Sequence, residues 1–168
     1  PAYLNCTIAN NGGFGIKIMD AVQATLTNVI LFGNTSDPIL VGGSDAFALL
    51  NHCLLDVEES SLSNVGAGQL QWGTDTFVGD PMFISGGDYH LSDYSPAIGA
   101  GTATGAPSTD IDGNSRPTTN PDMGAYEIEL VSPSAPPAPT NLAATVGNAL
   151  VNLSWTGNDY ATKYYVYR

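Results

Sequence analysis

Three short segments of this chain recur at a nearly fixed interval: Leu4-Asn5-Cys6-Thr7-Ile8, Thr27-Asn28-Val29-Ile30-Leu31 and Asn51-His52-Cys53-Leu54-Leu55. Aligning Cys6, Val29 and Cys53 gives spacings of 23 and 24 residues. A period in that range is the signature of a solenoid. No repeat there buries its apolar face alone, and each is covered by its neighbours. Leucine-rich repeats share the period, but their Leu-x-x-Leu-x-Leu-x-x-Asn pattern is absent. Within each repeat, apolar residues alternate: Phe14, Ile16, Ile18; Val22, Ala24, Leu26; Val29, Leu31; Phe47, Leu49; Cys53, Leu55. Alternation at period two marks strands with one buried face. The phase slips between Leu26 and Val29, and less so between Leu4 and Cys6, with Asn28 and Asn5 at the joins. Asn tolerates left-handed backbone and can turn one strand into the next. Several short strands per coil, with small residues at the corners, describe a parallel β-helix.

The two cysteines test that register. If both point inward, two coils separate them. Coils stack about 4.8 Å apart, so their Cα atoms lie about 9.6 Å apart, beyond the roughly 7 Å that a disulfide spans. Two free, buried thiols acting as small hydrophobes are expected. Neither has a neighbouring His–Asp pattern that would make it a nucleophile, and two isolated Cys do not make a metal site.

Composition narrows the partners. The chain holds 16 acidic residues against four basic ones, Lys17, Arg116, Lys163 and Arg168, for a net charge of −12. Nucleic acid requires a Lys/Arg footprint, which is missing, and an anionic membrane surface is disfavoured for the same reason. No apolar run approaches the roughly 20 residues of a membrane span. With 19 Gly, 11 Pro and 43% hydrophobic residues, the chain reads as all-β with a core of its own. The chain is taken as a fragment, with further domains expected at both ends, in a secreted or cell-surface protein.

The repeat stops at Gly79. A series follows: Asp80-Pro81-Met82-Phe83, Gly87-Asp88-Tyr89-His90-Leu91, Ser95-Pro96-Ala97-Ile98, Asp110-Ile111-Asp112-Gly113-Asn114-Ser115-Arg116-Pro117 and Asp122-Met123-Gly124-Ala125-Tyr126-Glu127. Together with the coils, over roughly residues 1–130, this series resembles the C-terminal region of bacterial right-handed parallel β-helix proteins. They are the pectate-lyase-like group labelled choice-of-anchor Q. Gly99 stands where that family commonly has Asp.

A solenoid ends in an open stack of strand edges, which templates aggregation unless covered. Residues 79–128 are expected to be that cover, with Tyr89, Leu91, Ile98, Ile111 and Tyr126 packing on the last coil. Arg116 is the only cation of this stretch. Its guanidinium is expected to take a carboxylate from Asp110, Asp112 or Asp122, so that Arg116, Asp122 and Tyr126 fix the cap. The competing expectation is calcium, because Asp110, Asp112 and Asn114 set three oxygen ligands at alternate positions. The loop is not an EF-hand. Counted from Asp110, position six is Ser115 and position twelve is Pro121.

Residues 131–139 hold four Pro from Ser132 to Pro139 and read as a semi-rigid linker. Residues 140–168 follow. Thr140-Asn141-Leu142, then Val151, Leu153 and Trp155 in alternation, then Tyr164 and Val166, resemble strands A, B and C of a fibronectin type III domain. Trp155 is its core Trp and Tyr164 lies opposite. A full sandwich takes about 100 residues, so this one is partial. The tyrosines are read as core packing rather than as a sugar platform.

Catalysis finds little support. Members of the resembled group include polysaccharide lyases and hydrolases, and lyase chemistry needs a base and a cation beside an acidic sugar. Residues 1–130 carry 15 acids and only Lys17 and Arg116 as bases. Lys17, between inward Ile16 and Ile18, faces outward alone. His52 has no evident partner, and His90 is assigned a structural hydrogen bond. Asp56, Glu58 and Glu59 are adjacent acids on a surface loop rather than a glycosidase pair. The expectation is a non-catalytic scaffold or glycan-binding module. The alternative is the tail of a polysaccharide-degrading enzyme with its active site upstream of Pro1.

Overall fold

The computed structural model describes residues 1–62, 64–65, 68–128, 139–148 and 150–157. The third fibronectin-like strand, including Tyr164 and Val166, and nearly all of the linker lie outside these residues. The chain forms two compact units, Pro1–Glu129 and Leu130–Arg168.

The first unit is a parallel β-solenoid of three turns and the start of a fourth. Its first coil contains β1 (Ala2–Leu4), β2 (Thr7–Ala9) and β3 (Ile16–Met19), and its second β4 (Gln23–Thr27), β5 (Ile30–Phe32) and β6 (Ile39–Gly42). The third contains β7 (Phe47–Asn51), β8 (Leu54–Leu55) and β9 (Asn64–Val65). The fourth begins with β10 (Gln69–Trp72) and β11 (Phe77–Val78). Like strands stack into three parallel sheets, ordered β1-β4-β7-β10, β2-β5-β8-β11 and β3-β6-β9. Among the described residues there is no α-helix, only a 3-10 turn at Glu59–Ser61.

The register aligns Thr7 with Ile30 and Ile30 with Leu54, which places Cys6, Val29 and Cys53 in one column. Both thiols are free, but only Cys53 is fully buried; Cys6, in the first coil, is half-buried. Interior columns run Tyr3–Leu26–Leu50–Trp72 in the first sheet and Ile18–Val41 in the third. Each fully buried Leu contributes about 1.5–3 kcal/mol of transfer free energy.

Two phase assignments are corrected. Ala48 and Leu50 face the interior, stacked on Ala24 and Leu26, while Phe47 and Leu49 are half-buried on the outer face. Alternation cannot say which of two apolar sets points inward, and the narrow interior takes Ala48 over Ala24. Val22 lies at 39% exposure, outside the core. Lys17 does face outward, but not alone: its Nζ sits 4.7 Å from the Phe14 ring centroid, a cation–π contact.

The second sheet is buried on both faces. Val29, Leu31, Cys53 and Leu55 fill the interior, and Ile30 and Leu54, with Phe32 and Phe77, form a second apolar layer outside. The cap packs on that layer. Residues 79–128 lie along the outer side of the second sheet, not stacked on the last coil. Leu91, Ala97 and Met123 close over Ile30 and Leu54, with Ile98 beside them. Ile111 is 70% exposed and makes no part of this packing. An apolar strip several coils long offers the cap more burial than one row of strand edges.

In the second unit, β12 (Thr140–Gly147) and β13 (Leu150–Thr156) pair antiparallel, with an irregularity between Thr140 and Ala143 where Asn141 has φ 55°.

Candidate functional site

The elements that build the site are the corners between the first and second sheets. Asn5, Asn28, His52 and Asp75 occupy equivalent places in successive coils, and all four have left-handed backbone, φ 47°, 56°, 49° and 48°. Short polar side chains tolerate this conformation, and His is also enriched there. The side chains therefore form a polar column along one edge of the solenoid. The Asn28 amide donates to Asn5 Oδ1 at 3.2 Å.

The cap reads the first half of this column. Asn5 Nδ2 donates to the Asp122 carbonyl at 3.2 Å. Asn28 clamps Thr102 from both sides, donating to its carbonyl at 2.7 Å and accepting from its N–H at 2.8 Å. The Gly124 N–H donates to the Asn28 carbonyl at 2.8 Å, and that of Ala125 to Thr7 Oγ1 at 3.0 Å. Gly124 has φ 91°, and a Cβ there would lie 2.7 Å from both Ile30 Cδ1 and Thr7 Oγ1, so only glycine lets the cap come this close.

Behind this contact sits a buried polar knot. Arg116, 7% exposed, pairs through Nη1 with Glu127 Oε2 at 2.6 Å and donates to the carbonyls of Gly124 and Asp122 at 3.0 and 3.3 Å. Its partner is thus Glu127, not Asp110, Asp112 or Asp122. Each aspartate is committed elsewhere: Asp122 accepts the N–H groups of Gly99 and Ile128 at 2.7 and 2.8 Å. Gly99 makes its contact through the backbone, at φ 62°. Burial pushes the Glu127 carboxyl up, and the charge of Asp122 pushes it further, against the pull of Arg116. Burial also raises Asp122, outweighing its two N–H donors.

Asp110 accepts four N–H donors. Oδ1 takes the backbones of Asp112 and Asn114 at 2.9 and 2.8 Å; Oδ2 takes the Asn114 amide at 3.1 Å and the Glu127 backbone at 2.8 Å. Burial works against its charge, but these donors hold it below the usual carboxylate range. Asp112 Oδ2 lies 2.7 Å from His90 Nε2, and Asp88 Oδ1 lies 2.5 Å from His90 Nδ1. The ring is stacked at 3.9 Å on Tyr126. Asp88 and then Asp112 raise the imidazole, and the His90 backbone and ring N–H groups lower Asp88. The residues expected to offer calcium its oxygens thus bond to the protein's own donors, and Asn114 turns its nitrogen toward Asp110. Among the described residues, no three His, Cys, Asp or Glu side chains gather as a metal site.

Past Asn28 the cap draws back but still reaches His52, and His52 and Asp75 line a groove of about 650 Å³. Its other walls include Thr76, Phe77, Ala100 and Asn120. His52 Nδ1 lies 3.2 Å from the Ala100 carbonyl and 3.8 Å from Asp75 Oδ2. A second cleft of about 330 Å³ lies between β2 and the cap, with Tyr89, Tyr126 and Ile111 on its walls. Asp56 accepts the Gly33 N–H at 2.6 Å, while Glu58 and Glu59 are exposed. Burial pushes the Cys53 thiol up to about 12, leaving it neutral and inert.

The His52–Asp75 pair escapes sequence reasoning because its partners lie 23 residues apart. The fourth segment, Thr74-Asp75-Thr76-Phe77-Val78, carries the signal: it continues the repeat with another αL-tolerant residue at the corner.

Comparison with known proteins finds no matching family, no matching curated protein and no matching solved structure.

Proposed function

We propose that this chain is a non-catalytic part of a secreted or cell-surface modular protein, in which the solenoid is a rigid scaffold that binds glycan. The observation that carries this reading is where the ionisable groups of the cap are engaged. Both ring nitrogens of His90, both oxygens of Asp110 and the Arg116–Glu127 pair are taken up by other groups of the cap itself. A general base needs a free lone pair within reach of substrate, and His90 between two carboxylates has none. The motif series from Asp80 to Glu127 supports a pectate-lyase-like β-helix, and the β12–β13 pair supports the opening of a fibronectin type III sandwich. Both architectures recur in modular extracellular proteins.

The test pairs a glycan array with a lyase assay on polygalacturonate. Retention on glycans with no release of unsaturated uronate is the expected result. Catalytic cleavage by this chain, abolished by a single substitution within it, would overturn the scaffold reading.

A further inference from the structure

The corner column carries the search furthest. Its first two positions are already engaged: Asn5 and Asn28 are 6% and 0% exposed, and they hold the extended cap by its polar groups. The next two, His52 and Asp75, have the same backbone conformation and line the groove, His52 with Nδ1 on the Ala100 carbonyl and its other ring nitrogen left for a ligand. Asn120, across from them, has φ 49° as well. Three polar side chains on left-handed, non-glycine backbone thus converge on one groove, a conformation that concentrates at binding sites. The groove's volume falls within the range of small-ligand sites.

We infer that this groove is a binding site for an uncharged polysaccharide, an inference that rests on the glycan reading above. Imidazole, carboxylate, the Thr76 hydroxyl and the Asn120 amide together both donate and accept, as sugar hydroxyls do. His52 and Asp75 are one coil apart, about 4.8 Å, close to the width of one pyranose ring. Phe77 forms part of the wall and offers an apolar surface to a sugar face. A peptide strand, by contrast, is recognised by an open ladder of backbone groups, and the corner N–H of His52 is already paired with the Thr74 carbonyl of the next coil at 2.7 Å.

Charge selects against acidic sugars. Residues 1–130 hold 15 carboxylates and two cations. Arg116 is buried against Glu127, and Lys17 lies over Phe14 on the third sheet. Among the described residues no Lys or Arg lines the groove, while Asp75 does, with its side chain 68% exposed. A polyuronate would meet repulsion with no counter-charge.

The experiment uses the full chain and its variants in affinity electrophoresis and calorimetry. Probes are a soluble β-glucan, a xylan, a galactomannan and polygalacturonate. His52→Asn installs the residue that fills this corner in the first two coils, and Asp75→Asn keeps the shape and removes the charge. Gln71→Ala, on exposed β10, is the control, and Tyr89→Ala probes the second cleft. An uncharged probe should bind, and each groove variant should weaken it about five- to tenfold, the loss of roughly one hydrogen bond. Gln71→Ala and Tyr89→Ala should leave binding unchanged, and the two groove variants and Gln71→Ala should keep the parental melting curve. Binding that survives both groove variants would overturn this site and leave the glycan reading standing. Preference for polygalacturonate would overturn the charge argument. No binding to any probe would remove the glycan reading itself.

Discussion

The interior column and the cap of the same solenoid are held by opposite kinds of force. Inside the coils, Leu26, Leu31, Leu50, Leu55 and Val41 are fully buried and apolar, and each touches neighbours of the same kind. Such packing is additive: losing one side chain removes that side chain's share. The cap instead rests on three apolar anchors, Leu91, Ala97 and Met123, and a knot in which Arg116, Asp122, Glu127 and Asp110 are linked by hydrogen bonds. Buried charges work only as a set. The coils should therefore fail gradually and the cap all at once.

The largest effect should come from Arg116→Ala. It leaves Glu127 and Asp122 buried beside each other without their cation, at a cost of about 3–5 kcal/mol. In urea, near-UV circular dichroism from Tyr89 and Tyr126 should collapse well before Trp72 fluorescence, which reports the coils. Arg116→Met with Glu127→Leu should recover part of the loss, because an apolar pair leaves no stranded charge. A single coincident transition in Arg116→Ala, at the parental midpoint, would erase the contrast.

Leu50→Ala and Leu54→Ala sharpen it. Each removes a fully buried Leu and should cost about 2–5 kcal/mol. Leu50 lies in the interior and Leu54 under the cap. The Leu50 loss should add to that of Arg116→Ala, whereas the Leu54 loss should not, because both act through cap docking. A double-mutant cycle measures this; equal coupling for both leucines would sink the distinction.

The two regions were also unequally legible from sequence. The coils announce themselves, since a solenoid writes its register into one period and the Cys6–Val29–Cys53 alignment follows from counting. The inward phase did not follow at Phe47 and Leu49, where two interleaved apolar sets compete and interior width decides. The cap's placement was hidden for a related reason. Val29-Ile30-Leu31-Phe32 is a continuous apolar run, the mark of a strand covered on both faces. Ile30 and Leu54 were the clue that something packs outside. Arg116's partner could not be counted out, because Asp110, Asp112, Asp122 and Glu127 all lie within reach in sequence. Only the backbone donors already on the aspartates leave Glu127 to it.

The corner column gives a smaller, sharper comparison. Asn28→Ala should cost about 2–3 kcal/mol, combining lost clamp bonds with a Cβ residue forced into left-handed backbone. Asn28→Gly keeps the lost bonds but relieves the backbone, and should be about 1 kcal/mol milder. At Asp75, with the same φ and an exposed side chain, substitution by Gly should be nearly neutral. Thermal melts of the three separate clamp from conformation. An Asp75→Gly as damaging as Asn28→Ala would mean that the corner itself, not the cap contact, is what matters.

The smallest effect is the most diagnostic of the knot. His90 is held above its ordinary value of 6.5, so its contribution is complete below pH 6.5 and is lost as pH rises through the raised value. Glu127 and Asp122 are also raised, from 4.5 and 3.8, so their charging on the way to neutrality weakens the cap in the same direction. Asp88 and Asp110 are lowered, so their contributions hold above 3.8 and fade as pH falls through their depressed values. The cap should accordingly be firmest at about pH 4, where Asp88 and Asp110 are charged and Glu127 and Asp122 still hold their protons, and looser at pH 8. Solvent screens the half-exposed His90 clamp, which keeps its share of the shift small. Among the described residues, the one fully buried titrating group of the coil interior is the inert Cys53 thiol, so Trp72 fluorescence should melt at the same temperature at pH 5 and 8 while the tyrosine signal moves down. His90→Gln should remove the imidazole's share of that movement and leave the share that belongs to Glu127 and Asp122. A tyrosine transition that rises toward pH 8 would show that the carboxylates are not sharing a single guanidinium.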